Sequence, residues 1–461
     1  MPMSSDNENR PHLALFPSAG MGHLTPFCRI AAALAERGCT LSFITAQPTV
    51  SLAESLAISR LLNSFPNIHS LNLPLVELDP SEFPSTSDPF FLRFEAIRRS
   101  AHLLPPLLAS VSVPISALVI DIMSAYDFIP VAKELNLPSY ILFTSSAAML
   151  SFCAYFPIYS TTRSPGVVGD IDVPGFRTVP KASVPPPLHD PNHIFRTQFI
   201  DNGLILSKAD GILINTFQAL EPEAMASLNG GLVLPNLPPV FAVGPLRSLW
   251  PEKTSPIPWL DQQPNKSVVY VSFGSRTAMT AEQIKELGAG LERSGKRFLW
   301  LLKTQKVDKE EDKTTWERVV GEGYMDRVKD RGLVLNGWVA QEEILSHRAV
   351  GGFVSHCGWN SVTEAAMVGM RVLGWPRLGD QRVNGEVVRR SGLGVWMEEW
   401  SWEAEDRVVS GEEIAKRVKE IMEDEELRQS AEKVGEDARM AVGAGGSSDK
   451  SWEEFISRVM K

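Results

Sequence analysis

Short apolar runs alternate with helical patterns along the chain, and this alternation constrains the fold more than any other feature of the sequence. An apolar run at residues 12–16 precedes helical spacing over residues 27–36, and a second apolar run follows at residues 39–45. Strand, helix and strand in this order form a βαβ unit. Further apolar runs in the second half read SVVYVSFG, RFLWLLK, GLVLNGW, GGFVSH and RVLGW, with helical patterns between them. The alternation predicts an α/β fold with doubly wound parallel sheets.

The length of the chain indicates more than one domain. A single hydrophobic core rarely extends beyond about 250–300 residues, and this chain has 461. The Pro-rich stretch at residues 233–246 is typical of a linker. We therefore predict an N-terminal domain over residues 1–245 and a C-terminal domain over residues 246–445. Residues 446–461 carry apolar side chains at i, i+3, i+4 and i+7 of an amphipathic helix, namely Trp452, Phe455, Ile456 and Val459.

Charge and cysteine usage exclude several classes of protein. The formal net charge is −10, which argues against a surface for nucleic acid or for anionic membranes. The 4 cysteines form no CxxC pair, which indicates a reducing compartment without a disulfide framework. The N-terminus MPMSSDNENR lacks the apolar stretch of a secretory signal, and Ser and Thr interrupt the most apolar run, residues 140–156. We therefore expect a cytoplasmic protein without membrane insertion, in which residues 140–156 form a buried strand and a helix.

Two polar residues stand where strands of the first half end, the edge at which open α/β sheets bind ligands. His23 follows SAGMG, in which Gly20 and Gly22 permit a sharp turn, although the spacing is not the GxGxxG of dinucleotide-binding folds. Asp121 ends the apolar run ISALVID. A carboxylate that bonds Nδ1 of a histidine fixes the ring tautomer and stabilises the imidazolium, as in a catalytic pair. The alternatives, a helix-start role for His23 and a capping role for Asp121, stay open.

The segment SHCGWNS in the second half has the layout of an anion site. A strand ends at His356, Gly358 leaves room for close approach, and a helix begins near Trp359. Asn360 and Ser361 then lie in the first turn of that helix. Backbone N–H groups and the helix dipole at such a junction bind phosphates and other anions.

Two other interpretations of SHCGWNS are weaker. A metal site would need further Cys or His residues at ligand spacing, and His356 and Cys357 stand alone in this stretch. A nucleophilic Cys357 would need a distant base, so we interpret it as a small buried residue. Residues 274–277, which begin with the last glycine of SVVYVSFG, repeat the strand–glycine layout and support the anion interpretation.

Residues 338–381 form the longest recognisable motif of the chain. They read WVAQEEILSHRAVGGFVSHCGWNSVTEAAMVGMRVLGWPRLGDQ. Their length and most of their fixed positions resemble the signature box of plant family 1 UDP-glycosyltransferases, and GMGHLTP, VVYVSFGS and the C-terminal helix are similar to the same family. The resemblance implies the GT-B fold, in which two Rossmann-like domains face each other across a cleft. The N-terminal domain would bind the acceptor, the C-terminal domain would bind the UDP-sugar, and the C-terminal helix would pack back onto the N-terminal domain.

The resemblance also implies roles for the donor-binding residues. Trp338 would stack on the uracil and the Val339 backbone would bond its edge, while Gln341 and Glu364 would hold the ribose hydroxyls. The residues implied around the diphosphate are Gly22, Ser275, His356, Trp359, Asn360 and Ser361. Those implied around the sugar are Thr144, Trp375, Asp380 and Gln381. Gln381 is typical of glucose preference, whereas WPRLGDQ departs from the commoner WPFFGDQ and changes the wall beside the sugar.

Several segments look like the flavonoid C-glucosyltransferase branch of this family. They are PSAGMGHLTPF, DPFFLRFEAIRRSA, WLDQQP and GDQRVN, together with Ile122 directly after Asp121. The resemblance implies inverting transfer of glucose from UDP-glucose to an aromatic carbon of a 2-hydroxyflavanone or dihydrochalcone, with His23 as the base. Candidates for the acceptor wall, each equally interpretable as plain core, are Phe90, Phe91, Ile122, Met149 and Phe152.

Two alternatives to this function remain at the level of the sequence. An O-glucosyltransferase acting on flavonoid or other phenolic hydroxyls would use the same His23–Asp121 pair. A non-catalytic nucleotide-sugar-binding protein would need the donor box alone, so the presence of both residues argues against it. The resemblance implies no metal and no cofactor besides the co-substrate UDP-glucose. It also implies a monomer whose partners are the UDP-sugar and a small phenolic acceptor, with no nucleic acid.

Overall fold

The computed structural model describes residues 10–84, 88–164, 166–247, 257–274, 279–303, 319–337, 339–377, 379–400 and 407–461. The chain divides into two compact units. Unit 1 comprises Met1–Leu249 and Ala441–Lys461, and unit 2 comprises Trp250–Met440. The acceptor-binding and donor-binding roles of the two halves stay predictions.

Unit 1 is built around a sheet of 7 parallel strands in the order β3-β2-β1-β4-β5-β8-β9. The strands of unit 1, including a separate antiparallel pair β6–β7, are β1 (His12–Phe16), β2 (Thr40–Gln47), β3 (Ile68–Pro74), β4 (Ala117–Asp121), β5 (Ser139–Phe143), β6 (Ile171–Asp172), β7 (Thr178–Val179), β8 (Gly211–Ile214) and β9 (Val240–Ala242). Strands β1, β4 and β5 are buried along their whole length, because helices cover both faces of a parallel sheet.

The helices of unit 1 that precede the C-terminal segment are α1 (Met21–Glu36), α2 (Leu52–Ser64), α3 (Pro89–Arg99), α4 (Leu104–Ala109), α5 (Ala125–Glu134), α6 (Ala147–Thr161), α7 (Ile194–Ile205) and α8 (Pro222–Asn229). The predicted first helix began at residue 27, whereas α1 begins at Met21. Its first turn contains Gly22 and His23 and is only partly buried, so apolar spacing does not reveal it. Gly20 takes up the turn alone, with φ of 94°, and Gly22 is helical, which corrects the expectation that both glycines form the turn.

Two Pro-rich stretches are more ordered than the sequence indicates. Residues 164–190 contain the β6–β7 pair and buried apolar side chains such as Ile171 and Leu188. The predicted linker at residues 233–246 contains β9, an edge strand of the main sheet. The Asn229 amide exchanges two hydrogen bonds with the Val240 backbone, at 2.9 and 3.0 Å, and so protects that edge. Proline breaks the periodic pattern without preventing burial, which explains why the predicted linker contains a strand.

The C-terminal helix (Ser447–Val459) packs within unit 1. Trp452, Phe455 and Val459 belong to the same core as strands β1 and β2. The Phe455 ring contacts Tyr140 edge-on with the ring centroids 4.9 Å apart. Ser448 Oγ donates a 2.5 Å hydrogen bond to the Gly244 carbonyl. The helix therefore completes one side of the first sheet.

Unit 2 repeats the architecture with 6 parallel strands in the order β12-β11-β10-β13-β14-β15. These strands are β10 (Val268–Ser272), β11 (Arg297–Leu301), β12 (Gly332–Leu335), β13 (Val350–Ser355), β14 (Val372–Gly374) and β15 (Gly394–Trp396). Its described helices are α9 (Pro258–Asp261), α10 (Ala281–Ser294), α11 (Tyr324–Val328), α12 (Gln341–Ser346), α13 (Trp359–Val368), α14 (Gln381–Arg390), α15 (Gly411–Glu423) and α16 (Glu425–Val442). The prediction of two doubly wound parallel sheets is confirmed.

Helix α10 illustrates how local sequence sets the boundaries. Thr280 caps its N-terminus by accepting a hydrogen bond from the Gln283 backbone at 3.3 Å, and Gly295 ends it in the left-handed conformation. Residues 140–156 are strand β5 and helix α6, as expected from the sequence. Among the residues described, no helix has the length and apolarity needed to span a bilayer.

The strand order reverses at one point in each sheet, between β1 and β4 and between β10 and β13. Phe16 of β1 pairs with Ile120 of β4, and Ser272 of β10 pairs with Ser355 of β13. Segments that leave these neighbouring strands therefore emerge side by side. Ligands of doubly wound folds bind outside the carboxyl ends of strands at such a reversal. The fold predicts one site in each unit.

Candidate active site

His23 and Asp121 meet at the strand reversal of unit 1. His23 lies in the first turn of α1, directly after the β1 turn, and Asp121 is the last residue of β4. The distance from His23 Nδ1 to Asp121 Oδ2 is 2.9 Å. The Asp121 side chain is fully buried, whereas that of His23 is 20% exposed. The pair thus combines a buried carboxylate with an imidazole that reaches the surface of the unit.

The hydrogen bonds of Asp121 define the tautomer of His23. Asp121 Oδ1 accepts from the Met123 backbone at 2.8 Å, which fixes the carboxylate and also caps the following turn. A carboxylate only accepts hydrogen bonds, so His23 Nδ1 carries the proton that it receives. Thr144 Oγ1 lies 3.0 Å from the same nitrogen and adds a second polar neighbour. This arrangement leaves the lone pair on Nε2, the atom that a general base uses.

An aromatic wall lines one side of His23. The Phe94 ring meets the imidazole edge-on with the centroids 5.5 Å apart, and Phe90 packs on Phe94 at 4.4 Å. Phe90 also packs against Gly20, because a Cβ atom at Gly20 would lie only 3.0 Å from the Phe90 ring. Apolar walls beside a base suit a planar aromatic ligand. Phe94 has no sequence signal of its own, because it repeats the helical spacing of ordinary core residues.

The other candidates for the acceptor wall divide into surface and core. Phe91 is half-buried and packs against His193 and Phe195. Ile122 and Met149 are 6% and 5% exposed, beside Asp121 and in the first turn of α6 respectively. Phe152 is fully buried against Phe156 and Phe199. Phe152 is therefore a core residue and not part of a wall.

The predicted anion site of unit 2 has the expected backbone layout. Strand β13 ends at Ser355 and α13 begins at Trp359, with Gly358 as its N-cap and no side chain capping the first turn. Trp359, Asn360 and Ser361 occupy that first turn. Their backbone N–H groups and the positive end of the helix dipole form a site for negative charge.

His356 is held between two glycines at this junction. A Cβ atom at Gly274, after β10, would lie 2.8 Å from His356 Nε2, and one at Gly358 would clash with the same atom. Burial lowers the pKa of His356 to about 4, so the ring is neutral at neutral pH. Nδ1 is buried and has no hydrogen-bond partner among the described residues. A neutral imidazole with an unsatisfied ring nitrogen fits a phosphate oxygen as partner.

Cys357 has the structural role expected from the sequence. The residue is fully buried and adopts a positive φ of 60°. Burial and the nearby Asp380 raise the pKa of its thiol to about 12. A protonated, buried thiol is a poor nucleophile. Its backbone conformation turns the chain from β13 into α13.

Gln341, Ser361 and Glu364 form one hydrogen-bonded cluster in unit 2. Gln341 Nε2 donates to Glu364 Oε2 at 2.7 Å and to Ser361 Oγ at 2.9 Å. Gln341 begins α12, and the other two residues project from the first two turns of α13. The structure thus brings together the two side chains expected at the ribose, with Ser361 beside them. Val339 is half-buried in the segment before α12.

Asp380 and Gln381 lie at the start of α14. Asp380 precedes the first turn, and Gln381 Oε1 accepts a 2.9 Å hydrogen bond from the Arg377 backbone. Trp375 does not fit the expected sugar contact. Its side chain is fully buried and packs on Trp400 and Phe273, with ring centroids 4.6 and 5.6 Å apart. The apolar core behind β14 accounts for this tryptophan, which corrects the sequence expectation.

Two predicted donor ligands cannot be placed. Ser275 and Trp338 lie outside the described residues. Within the described ranges, His, Cys, Asp and Glu form no group of three or more that could hold a metal ion. Independence from metals stays a prediction.

The chain is similar over nearly its whole length to known glycosyltransferases. A family model described as UDP-glucoronosyl and UDP-glucosyl transferase matches residues 235–435. The chain is 54% identical to UDP-glycosyltransferase CGT of Oryza sativa subsp. japonica, over 99% of this chain and 98% of the relative. The chain belongs to the UDP-glycosyltransferase family. UDP-glycosyltransferase 708A6 of Zea mays is 51% identical, over 97% of this chain and 96% of the relative.

Solved structures of UDP-glycosyltransferases share the whole fold. LpCGTa, solved in complex with UDP, has a TM-score of 0.87 and 50% identity, over 98% of this chain and 99% of that one. UGT71G1 of Medicago truncatula, complexed with UDP-glucose, has a TM-score of 0.86 and 28% identity, over 100% of both chains. The fold is therefore GT-B and the protein is a UDP-glycosyltransferase. A purely non-catalytic role is set aside.

Proposed function

We propose that this UDP-glycosyltransferase transfers glucose from UDP-glucose to an aromatic carbon of a phenolic acceptor, with inversion, and releases a β-C-glucoside. The acceptor class is a 2-hydroxyflavanone or a dihydrochalcone. The observation that carries the proposal is the His23–Asp121 pair, 2.9 Å apart at the strand reversal of unit 1. The similarity over the full chain to a relative named CGT, the abbreviation of C-glucosyltransferase, supports attack by carbon.

The proposed first step is removal of a proton from the acceptor. His23 Nε2 accepts the proton of a phenol next to the reacting carbon, and Asp121 stabilises the imidazolium that forms. The phenolate charge spreads onto the ortho carbon, which becomes the nucleophile. Phe90, which is half-buried and packs on the buried ring of Phe94, supplies an apolar surface for the planar ring beside the base.

The second step forms a carbon–carbon bond. The ortho carbon attacks the anomeric carbon of glucose from the face opposite UDP, so that an α-linked donor yields a β-product. The bond between the anomeric carbon and the β-phosphate oxygen breaks, and UDP leaves with the electron pair. Loss of the proton from the attacked ring carbon to solvent then restores aromaticity. The imidazolium of His23 returns its proton to the phenolate oxygen, so that the transfer releases one proton to solvent overall.

Unit 2 is proposed to stabilise the leaving group. The first-turn N–H groups of α13 and the ring of His356 would bind the diphosphate, whose negative charge grows as the bond breaks. Gln341 and Glu364 would hold the ribose, with Val339, Trp359 and Asn360 beside them. Asp380, Gln381 and Thr144 would contact the glucose hydroxyls. The proposal uses no metal ion, because positive helix dipoles and neutral donors supply the stabilisation.

The same base also serves attack by the phenolic oxygen, so acceptor placement decides between C- and O-transfer. O-transfer needs only the phenolate oxygen near the anomeric carbon. C-transfer needs an electron-rich ring in which hydroxyls flank a carbon that lies there instead. Ile122, directly after Asp121 and only 6% exposed, is an apolar neighbour of the pair. An apolar neighbour gives the acceptor hydroxyls no competing hydrogen bond at that position.

The linkage in the product tests the proposal. The purified enzyme is incubated with UDP-glucose and a dihydrochalcone, and the glucoside is heated in acid and examined by NMR. We expect a product that survives acid and shows a direct correlation between the anomeric proton and a ring carbon, with the large coupling of a β-glucoside. A product that acid returns to the free acceptor would establish O-glucosylation and contradict the proposal.

A further inference from the structure

The side chain of Asn384 joins two segments of unit 2 that the proposed function assigns to the donor. Asn384 lies in the first turns of α14 and is fully buried. Its Nδ2 donates to Asp380 Oδ2 at 2.8 Å and to the Cys357 carbonyl at 3.2 Å. We propose that Asn384 is a positioning residue for the UDP-sugar, acting through the Gly358 N–H and the Asp380 carboxylate. This inference rests on the proposed donor role of the same site.

The bond to Cys357 controls the direction of a backbone donor. The peptide bond between Cys357 and Gly358 is trans, so the Cys357 carbonyl and the Gly358 N–H point in opposite directions. Asn384 draws the carbonyl towards α14 and thereby turns the Gly358 N–H away from it. Gly358 is the N-cap of α13, at the junction that binds anions. Because Cys357 holds a positive φ of 60°, which non-glycine residues rarely adopt, the peptide needs such an external contact.

The bond to Asp380 controls the rotation of a carboxylate. Asp380 precedes α14, and its backbone carbonyl accepts the first helical hydrogen bond from the Asn384 backbone at 2.9 Å. The side chains of the same two residues are joined at 2.8 Å. Asn384 thus fixes both the backbone and the side chain of Asp380, so the Asp380 carboxylate keeps one orientation towards the sugar hydroxyls. Preorganised hydrogen-bonding groups bind more tightly because less order is lost on binding.

Both contacts depend on the chemistry of a short amide. One nitrogen with two N–H bonds donates to two acceptors without adding charge to a buried site. Leucine has the same branching at Cγ but no donor. An Asn384→Leu variant therefore removes both contacts while it keeps the branched shape of the side chain, and the Cys357 peptide and the Asp380 carboxylate lose their common partner.

The test measures donor binding by calorimetry on the full-length protein, in the absence of any acceptor. For Asn384→Leu we expect the affinity for UDP to fall about tenfold or more, as loss of one or two oriented hydrogen bonds implies. UDP-glucose should lose at least as much affinity as UDP. Uridine, which has neither phosphate nor sugar, should keep its affinity within about twofold, because the base and ribose contacts do not involve Asn384.

Gln283→Leu is the matched control. Gln283 is also a fully buried amide of unit 2, and it exchanges two 2.9 Å hydrogen bonds with the Val409 backbone. Its loss destabilises the unit without touching the donor segments. We expect this variant to unfold at a lower temperature but to bind UDP, UDP-glucose and uridine as the wild type does.

Two results would overturn the inference. One is an Asn384→Leu variant that binds UDP within about twofold of the wild type, and the other is an equal loss for uridine and UDP, which would indicate general damage. If Asn384→Leu does not fold, the smaller Asn384→Ser variant is judged by the same ratio of UDP to uridine. The proposed function fails on a different result, an O-linked product of the wild type, so the two failures are distinguishable.

Discussion

At the scale of single residues, three neighbours define the imidazole of His23. Asp121 and Thr144 lie within 3.0 Å of Nδ1, and the Phe94 ring flanks the imidazole. The sequence makes Asp121 a candidate partner because both residues stand near the ends of strands, whereas only the strand order of the structure brings those two ends together. The sequence does not predict the contacts with Thr144 and Phe94. Thr144 was expected at the sugar, and Phe94 has the spacing of any core residue, so only the packing of α3 reveals it.

Trp375 is a residue for which the sequence implies a ligand contact that the structure does not show. The motif that contains it resembles a donor box, which implied a contact with the sugar. Its side chain instead fills the core between Trp400 and Phe273. A tryptophan can bury its whole ring wherever the core offers volume, and sequence spacing does not distinguish that outcome from a ligand contact.

The low pKa of His356 predicts an acid-sensitive free energy of unfolding. Burial lowers its folded pKa from 6.5 to about 4. Between these values the unfolded chain binds a proton that the folded protein does not, so stability falls as the pH is lowered through this window. The loss is up to roughly 3 kcal/mol. Urea unfolding near neutral pH and near the lower end of the window, for the wild type and His356→Gln, measures it.

We expect His356→Gln to lose less stability on acidification than the wild type. His102→Gln is the control, because it removes an exposed histidine and leaves the buried His356 in place. An equal acid-induced loss in the wild type and His356→Gln would show that His356 does not bring about the sensitivity.

At the scale of elements, a helix end can be predicted from the sequence where neighbouring residues cap it. It cannot be predicted where residues distant in the chain determine it. Thr280 and Gly295 mark α10 because capping residues act locally. The start of α1 and the β6–β7 pair depend on contacts distant in sequence, so local patterns do not show them. The N-terminus of α6 is a further case. Glu221, which lies 74 residues after Ala147, accepts hydrogen bonds from the Ala147 and Ala148 backbones and from Thr216.

We expect the free energy of unfolding to depend strongly on the buried carboxyl group of Glu221. Burial raises its pKa, yet its three neighbours all donate to it, which is the arrangement of an ionised carboxylate at a helix N-terminus. In Glu221→Gln one oxygen becomes an NH₂ group that faces backbone N–H donors. We expect a loss of about 1–3 kcal/mol in the free energy of unfolding by urea titration.

Glu223→Gln is the matched control for Glu221→Gln. Glu223 lies in α8, two residues after Glu221, but is 56% exposed, with Arg177 at 3.7 Å. We expect its replacement to change stability by less than about 0.5 kcal/mol. Equal effects of the two replacements would mean that Glu221 does not hold the N-terminus of α6.

At the scale of the whole molecule, the sequence predicts the two sheets and their parallel strands from alternation alone. The central strands of each sheet, such as β4 and β10, are buried on both faces, so their apolar runs are continuous and easy to recognise. The order of the strands is not visible in the sequence, nor is the return of residues 441–461 to unit 1. Both arise from contacts between segments that are far apart in the chain.

We expect the C-terminal helix, although distant in sequence from the rest of unit 1, to contribute strongly to the stability of that unit. The Phe455 side chain is fully buried against Tyr140 and Phe241. Phe455→Ala should lower the free energy of unfolding by about 3–5 kcal/mol, through lost burial and the cavity that remains. Thermal and urea unfolding measure the change.

Met460→Ala provides the comparison for Phe455→Ala. Met460 follows the same helix and is 54% exposed, so we expect a change below about 0.5 kcal/mol. A Phe455→Ala protein as stable as Met460→Ala would contradict the assignment of this helix to the core of unit 1.

The central claim is that His23 accepts the proton of the acceptor during glucosyl transfer. The most direct test is the initial rate of glucoside formation by His23→Ala, with both substrates saturating and UDP affinity measured on the same sample. The account predicts a fall in kcat of about 10²–10⁴-fold with unchanged affinity for UDP. A His23→Ala enzyme that forms the glucoside at the wild-type rate would contradict it.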